Sequence, residues 1–249
     1  AMKLTHILLA GLMALLLMAN SCDDETPPEP QPNTAFELVF QGYFGGQEFF
    51  IEFPYFIQED SMYYEFETYK FYVSDVTLVA DDGTETLLDT LAIVDFAENH
   101  LPFGKKPGTD KTAHAGGEFL RYPNVAPGSY KGVRFGVGIT EARNTGDGSP
   151  YVNDSDHPLH PSQNMNWGMG PGFIFQSLLG LADSSDNAFD QDRAEMVYHL
   201  GLDEHYKTYD FTAPQHAFEI REGEETQFIL DVDVKEMLWP ASRPNDRLD

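Results

Sequence analysis

With one cysteine in 249 residues, Cys22, the chain can close no intrachain disulfide. An exported domain built from it must hold together through packing and bound ions instead. Basic residues are also scarce: 15 Lys and Arg stand against 41 Asp and Glu, a formal charge of −26. That balance excludes nucleic acid and an anionic membrane face as electrostatic partners, and it favours cations. No long stretch keeps a helical period, which argues against a helical bundle. Neither a Gly-x-Ser-x-Gly elbow nor a His-Glu-x-x-His helix occurs, so no catalytic residue is assigned and the chain is expected not to be an enzyme.

What is present begins at the N-terminus. Lys3 precedes the apolar run Ile7 to Met18, too short to span a bilayer comfortably and closed by small residues, which reads as a secretory signal. The run ends Met18-Ala19-Asn20-Ser21-Cys22, which resembles a bacterial lipobox. Residues 1–21 are therefore expected to be a lipoprotein signal peptide, with Cys22 as the acylated new N-terminus tethered to a membrane it does not cross. Residues 22–34 carry Asp23-Asp24-Glu25 and a proline-rich segment, and should form an extended acidic linker. An acidic cluster directly after the lipidated cysteine resembles the surface-export signal of Bacteroidetes lipoproteins. The expectation is an outer-membrane lipoprotein, on the cell surface in preference to the periplasmic face.

Residues 35–249 suffice for one domain, and their dominant period is two. Thr226 to Val234 alternates apolar even positions with mainly polar odd ones, and Ser129 to Ile139 alternates in the opposite parity. Phe36 to Phe40, Glu48 to Phe53, Tyr69 to Val79, Ala92 to Phe96, Gly172 to Phe175, Met196 to Gly201 and Ala217 to Arg221 add strand-like runs. Asp82-Gly83 supplies a hairpin turn. Many strands with Gly, Pro, Asn and Asp connections predict an all-β fold, an antiparallel β-sandwich with long loops, of which Glu141 to Asn166 is the longest.

The chemistry concentrates between residues 157 and 175. His157 and His160, Met165 and Met169, and Trp167 crowd a Gly- and Pro-rich stretch, and His199 stands in a strand-like segment elsewhere. Imidazole and thioether together suit copper, above all Cu(I), whereas oxygen donors would suit calcium. The same residues also serve as ordinary packing: methionine fills core gaps, and lone histidines and tryptophans are commonly packed.

Five blocks in order, Phe71 to Leu78, Ile93 to Phe96, Pro127 to Gly138, Met165 to Phe175 and Tyr198 to Gly201, resemble those of the MbnP-like proteins, across roughly Ala35 to Val234. That family comprises exported copper-binding proteins. The resemblance implies a Cu(I) site built from a histidine of a His-Leu-Gly strand, a ligand two residues after a tryptophan, and that tryptophan, sometimes oxidised to kynurenine. On this chain those positions are His199, Met169 and Trp167. Met169 departs from the family, whose best-described members place a histidine there; a thioether remains a good Cu(I) donor. Unmodified indole is donor-only through its N–H, so Trp167 would act as a lid or π-face unless oxidised. His157 and His160 are candidates for a further nitrogen. The resemblance also implies a di-haem peroxidase partner for the oxidation.

Other readings carry less. His100, His114, His205 and His216 show no ligand pairing and are expected to face solvent. Asp183, Asp186, Asn187, Asp190 and Asp192, and separately Asp147, Asn153, Asp154 and Asp156, could wrap calcium with oxygens, though neither has EF-hand order. Asp75 and Asp95 lie inside apolar strands, where they could satisfy backbone or loop donors. The alternative function is a surface adhesion, glycan-binding or accessory sandwich lipoprotein of an outer-membrane complex, using exposed Trp239, Tyr63 and Tyr64.

Overall fold

The computed structural model describes residues 34–59, 61–96, 117–168, 170–184 and 193–238. The segment expected to be a signal peptide, Cys22, nearly all of the expected acidic linker, His100, His114, Met169, Trp239 and most of the Asp183 to Asp192 run lie outside them.

Thirteen strands are described: β1 (Ala35–Phe44), β2 (Gln47–Glu48), β3 (Pro54–Ile57), β4 (Met62–Ala80), β5 (Glu85–Asp95), β6 (Gly117–Pro123), β7 (Gly128–Val137), β8 (Asn166–Gly168), β9 (Gly172–Asp183), β10 (Arg193–Gly201), β11 (Lys207–Phe211), β12 (Phe218–Ile220) and β13 (Glu225–Asp233). One short helix follows, α1 (Val234–Leu238). The smaller sheet pairs β1 with β13, β6 and β2, and the larger runs β10-β9-β4-β7-β11 with shorter strands at its margins. The all-β sandwich expected from the alternation is the fold observed.

One pair departs from the antiparallel rule. β1 and β13 run parallel in register from Ala35 opposite Glu225 to Tyr43 opposite Asp233, while every other described pairing is antiparallel. Glu37 ties this strand to both neighbours: its buried carboxylate accepts from Arg121 on β6 at 3.1 Å and from Gln227 on β13 at 2.9 Å. A carboxylate this buried must be paired to be tolerated.

The larger sheet is organised by β4. Along one edge β9 pairs with its first half and β7 with its second; along the other, β3 and β5 divide it likewise. Near the middle the ladder is interrupted around Asp75, which takes a left-handed φ of 53°. Its carboxylate accepts from Arg143 at 3.0 Å, and Arg143 also donates to the Thr90 carbonyl at 2.8 Å. Asp95 pairs with Lys70 at 2.7 Å. Both aspartates therefore serve the sheet and its loops.

Apolar side chains on the facing sides of the two sheets make the main core. Phe40 of the small sheet meets Phe71 and Phe135 of the large one edge-on, with centroids 5.3 and 5.8 Å apart, the preferred geometry for aromatic quadrupoles. A second, smaller cluster of Tyr72, Ile139, Leu159, Met165, Phe173, Ile174 and Phe175 lies under the long loop, and Tyr72 donates its hydroxyl to the Pro158 carbonyl at 3.0 Å. This cluster gives the loop its floor.

Several expectations need correction. Strand structure within Glu48 to Phe53 stops at Glu48, because Phe49 and Ile51 turn into the core from an irregular segment. Tyr64 is buried, not exposed: alternation on β4 turns it inward with Phe66, against which it stacks. His216 is not free in solvent either, since its ring packs against Phe211 and Phe228. The Asp82-Gly83 turn is present, with Asp82 accepting from the Thr84 N–H at 2.8 Å.

Candidate metal centre

His199 belongs to a strand whose two faces have different fates. Met196 and Tyr198 pack into the main core, while the alternate positions Val197, His199 and Gly201 point the other way, and Val197 is well exposed. The imidazole therefore stands on the outer face of the sheet, opposite Ser177 of β9. It is half-buried, and desolvation pushes it below the usual histidine range. A neutral imidazole offers a lone pair to a metal at neutral pH.

What covers His199 is the β8–β9 hairpin. Asn166 faces Phe173 and Gly168 faces Gly172, and Trp167, between them on β8, lies against Gly201 at the end of β10. The indole and imidazole centroids are 6.1 Å apart with planes at 55°. Trp167 keeps 39% of its surface exposed. It is a wall beside the imidazole, not a core residue.

Gly201 explains why the indole can lie there. A Cβ at this position would collide with Trp167 Cζ3 and come within 2.8 Å of the Phe173 carbonyl oxygen. The glycine of His199-Leu200-Gly201 is thus a steric requirement of the tryptophan's seat, a role that spacing alone does not reveal. Leu202, directly beyond it, adopts φ 72° and ψ 148°, a conformation costly for any side chain with a Cβ.

The other proposed ligands have local duties. His157 accepts from the Leu159 N–H through Nδ1 at 3.0 Å and stacks on Tyr151, centroids 3.9 Å apart. His160 caps the turn Pro161–Gln163, its Nδ1 accepting from the Ser162 N–H at 3.1 Å. Only Nε2 of each is left for a metal. Among the described residues no three His, Cys, Asp or Glu side chains converge on one point, so these two imidazoles and His199 do not make a three-nitrogen site. Met165 is buried in the cluster under the loop and is spent on packing. Met169 lies outside the described residues.

The same absence of convergence applies to the oxygen donors. Asp147, Asp154 and Asp156 form no cluster, and Asp147 instead accepts from the Ser149 N–H at 2.9 Å, which holds its carboxyl below the ordinary range through its bonds to Ser149. Among the described residues no three carboxylates gather as the charged part of a hard cation's shell would. Among the described residues the site offers one imidazole nitrogen beside an indole wall, and imidazole is a donor that transition metals take.

A profile of the MbnP family matches residues 33–247. The chain belongs to this family. Among solved structures, MbnP from Methylosinus trichosporium is similar, with 16% identity, a TM-score of 0.45, and coverage of 68% of this chain and 62% of that one. This chain thus spans less than two thirds of that protein. No curated protein sequence matches. The family assignment rests on the profile, which covers the whole folded domain and both segments that bring Trp167 and His199 together.

Proposed function

We propose that this MbnP-family chain is an exported, lipid-anchored copper-binding protein that acquires, buffers or passes on Cu(I) at the cell envelope without catalysing turnover. His199 supplies the imidazole nitrogen, Met169 the thioether, and Trp167 the wall that limits access. If the indole is oxidised to kynurenine, it gains an amine and a carbonyl and becomes a third donor. A di-haem peroxidase is the partner such an oxidation calls for. Cys22 carries the lipid, in the outer membrane and facing the cell surface.

The observation that supports this reading most directly is the packing of Trp167 against His199 from strands remote in sequence, with Gly201 making room. Metal analysis after purification with copper and a reductant should give near-stoichiometric Cu(I). His199→Ala and Met169→Leu should each lower affinity, the imidazole variant by more. Unchanged binding in both variants would reject the ligand assignment. An intact mass decides whether Trp167 is indole or kynurenine.

A surface-binding role has one feature in its favour. A groove of about 810 Å³ is lined by Phe53, Phe56 and Tyr63 with Gln47, Gln58 and the Lys235–Glu59 ion pair, and Phe56 is 54% exposed. Aromatic faces beside amides suit a sugar ring. Retention of the protein on a neutral polysaccharide, lost in Phe56→Ala, would favour that alternative.

A further inference from the structure

Phe173, Ile174 and Phe175 bury the β9 side of the tryptophan hairpin, but Trp167 on β8 keeps 39% of its surface exposed, so a further tie must fix it over His199. The loop following β7 does this through one side chain. Asn144 accepts from the Phe173 N–H through Oδ1 at 2.8 Å, at the base of the hairpin, and donates through Nδ2 to Asp203 Oδ1 at 2.8 Å, in the turn that follows His199-Leu200-Gly201. One amide thereby joins the segment carrying Trp167 to the segment carrying His199. The approach is close: Gly172 has φ 90°, and a Cβ there would collide with the Asn144 amide.

The rest of the loop reinforces the joint. Gly146, at φ 67°, sits where a Cβ would collide with the Gly168 carbonyl oxygen and come within 2.9 Å of Gly172 Cα. Its carbonyl accepts from Asn166 Nδ2 at 3.0 Å, and Asn166 Oδ1 in turn accepts from the Gly168 N–H. Asn144 itself is anchored by its own N–H to the Thr140 carbonyl at 3.0 Å. Arg143, its neighbour, is tied to Asp75 and the Thr90 carbonyl, so the loop is fixed to the bulge of β4 and to β5.

We propose that Asn144 is a positioning residue of the metal centre: its amide, accepting from Phe173 and donating to Asp203, sets the distance between the Trp167 wall and the His199 imidazole. This rests on the copper reading for its consequence in metal affinity, and on geometry alone for its consequence in Trp167 placement. An amide is required because the two partners are of opposite kind, an N–H on one side and a carboxylate on the other. Aspartate at 144 would keep the first bond and turn the second into a repulsion between carboxylates. Asparagine at 203 would then restore it, since its Nδ2 can donate to the new carboxylate.

The test uses the folded domain with Trp239→Phe, so that Trp167 is the single indole, with an intact mass showing it unmodified. Asn144→Asp should red-shift Trp167 emission and weaken Cu(I) binding on the order of tenfold, and adding Asp203→Asn should bring both back toward the parent values. Asp203→Asn alone should change neither, because its remaining amide oxygen still accepts from Asn144. Emission and affinity unchanged in Asn144→Asp, or a double variant no better than the single one, would overturn the proposal. If Asn144→Asp does not fold, Asp203→Ala removes only the acceptor: a red shift supports the role and an unchanged spectrum refutes it. Should the parent bind no copper, the copper reading fails, while the emission of the same variants still decides where Asn144 holds Trp167.

Discussion

Along β10 the main core lies against one face and the tryptophan hairpin against the other, and the two are held by different forces. On the inner face Phe66 is fully buried among Phe44, Phe49 and Tyr55, with ring centroids 5.3 to 6.0 Å away. Burial of this kind is non-directional, and many apolar side chains share the load. On the outer face Trp167 remains partly in solvent, and its place is set by two asparagine amides and by glycines that admit close approach. Directional bonds fix positions to a few tenths of an ångström but contribute little net stability each, about 1 kcal/mol. Fold stability and metal affinity should therefore be separable by mutation.

The largest effect on stability is expected on the inner face. Phe66→Ala removes a whole ring from a packed core and should cost about 3 to 5 kcal/mol in urea unfolding. Cu(I) affinity of the protein that remains folded should stay within about threefold, because Phe66 meets β9 at Gly180, far along the strand from the Gly168–Gly172 end that carries Trp167. A large loss of affinity in the folded fraction would mean that the two faces are coupled through β9 and β10, and the separation argued above would fail.

This division also governs what the sequence discloses. Alternation made β7 and β13 readable, because burial on one face imposes a period of two on the residues themselves, and strand-like runs caught β10, the later part of β4 and the end of β5. It did not disclose that β1 and β13 run parallel, since the strands carry the same apolar pattern in either direction. The site was half legible. His199 and Trp167 stood out as residue types able to meet a soft metal, but Asn144 did not, since its function depends on two segments, Phe173 and Asp203, that only the fold brings to it. His157 and His160 attracted attention by composition, and their Nδ1 atoms turn out to hold up the loop's own turns.

Gly201→Ala sharpens the comparison from the outer face. The added methyl must displace the indole or lift the β10 end from Phe173, so stability should fall by about 1 to 3 kcal/mol, less than for Phe66→Ala. Cu(I) affinity should nonetheless fall further than in the core variant, by about tenfold or more, and Trp167 emission should shift to the red. Titration with Cu(I) under a competing chelator measures the first, and steady-state fluorescence the second. Unchanged affinity with a displaced indole would remove Trp167 from the metal's surroundings and leave His199 to bind with other partners.

The smallest expected change has the opposite sign and belongs to the inner face. Among the described residues the buried Tyr122 hydroxyl has no hydrogen-bond partner, while its ring stacks near Phe36 at 6.4 Å, and burial drives its ionisation far above the normal tyrosine range. A buried donor left unmatched costs about 1 to 3 kcal/mol, whereas removing the group altogether is neutral or favourable. Tyr122→Phe keeps the ring contacts and should raise the urea midpoint, by about 1 kcal/mol at most, with Cu(I) affinity unaltered. A drop in stability would instead place an acceptor, such as an ordered water, against the hydroxyl. In that case the inner face too would rely on directional bonding, and the contrast with the Asn144 clip would be one of degree.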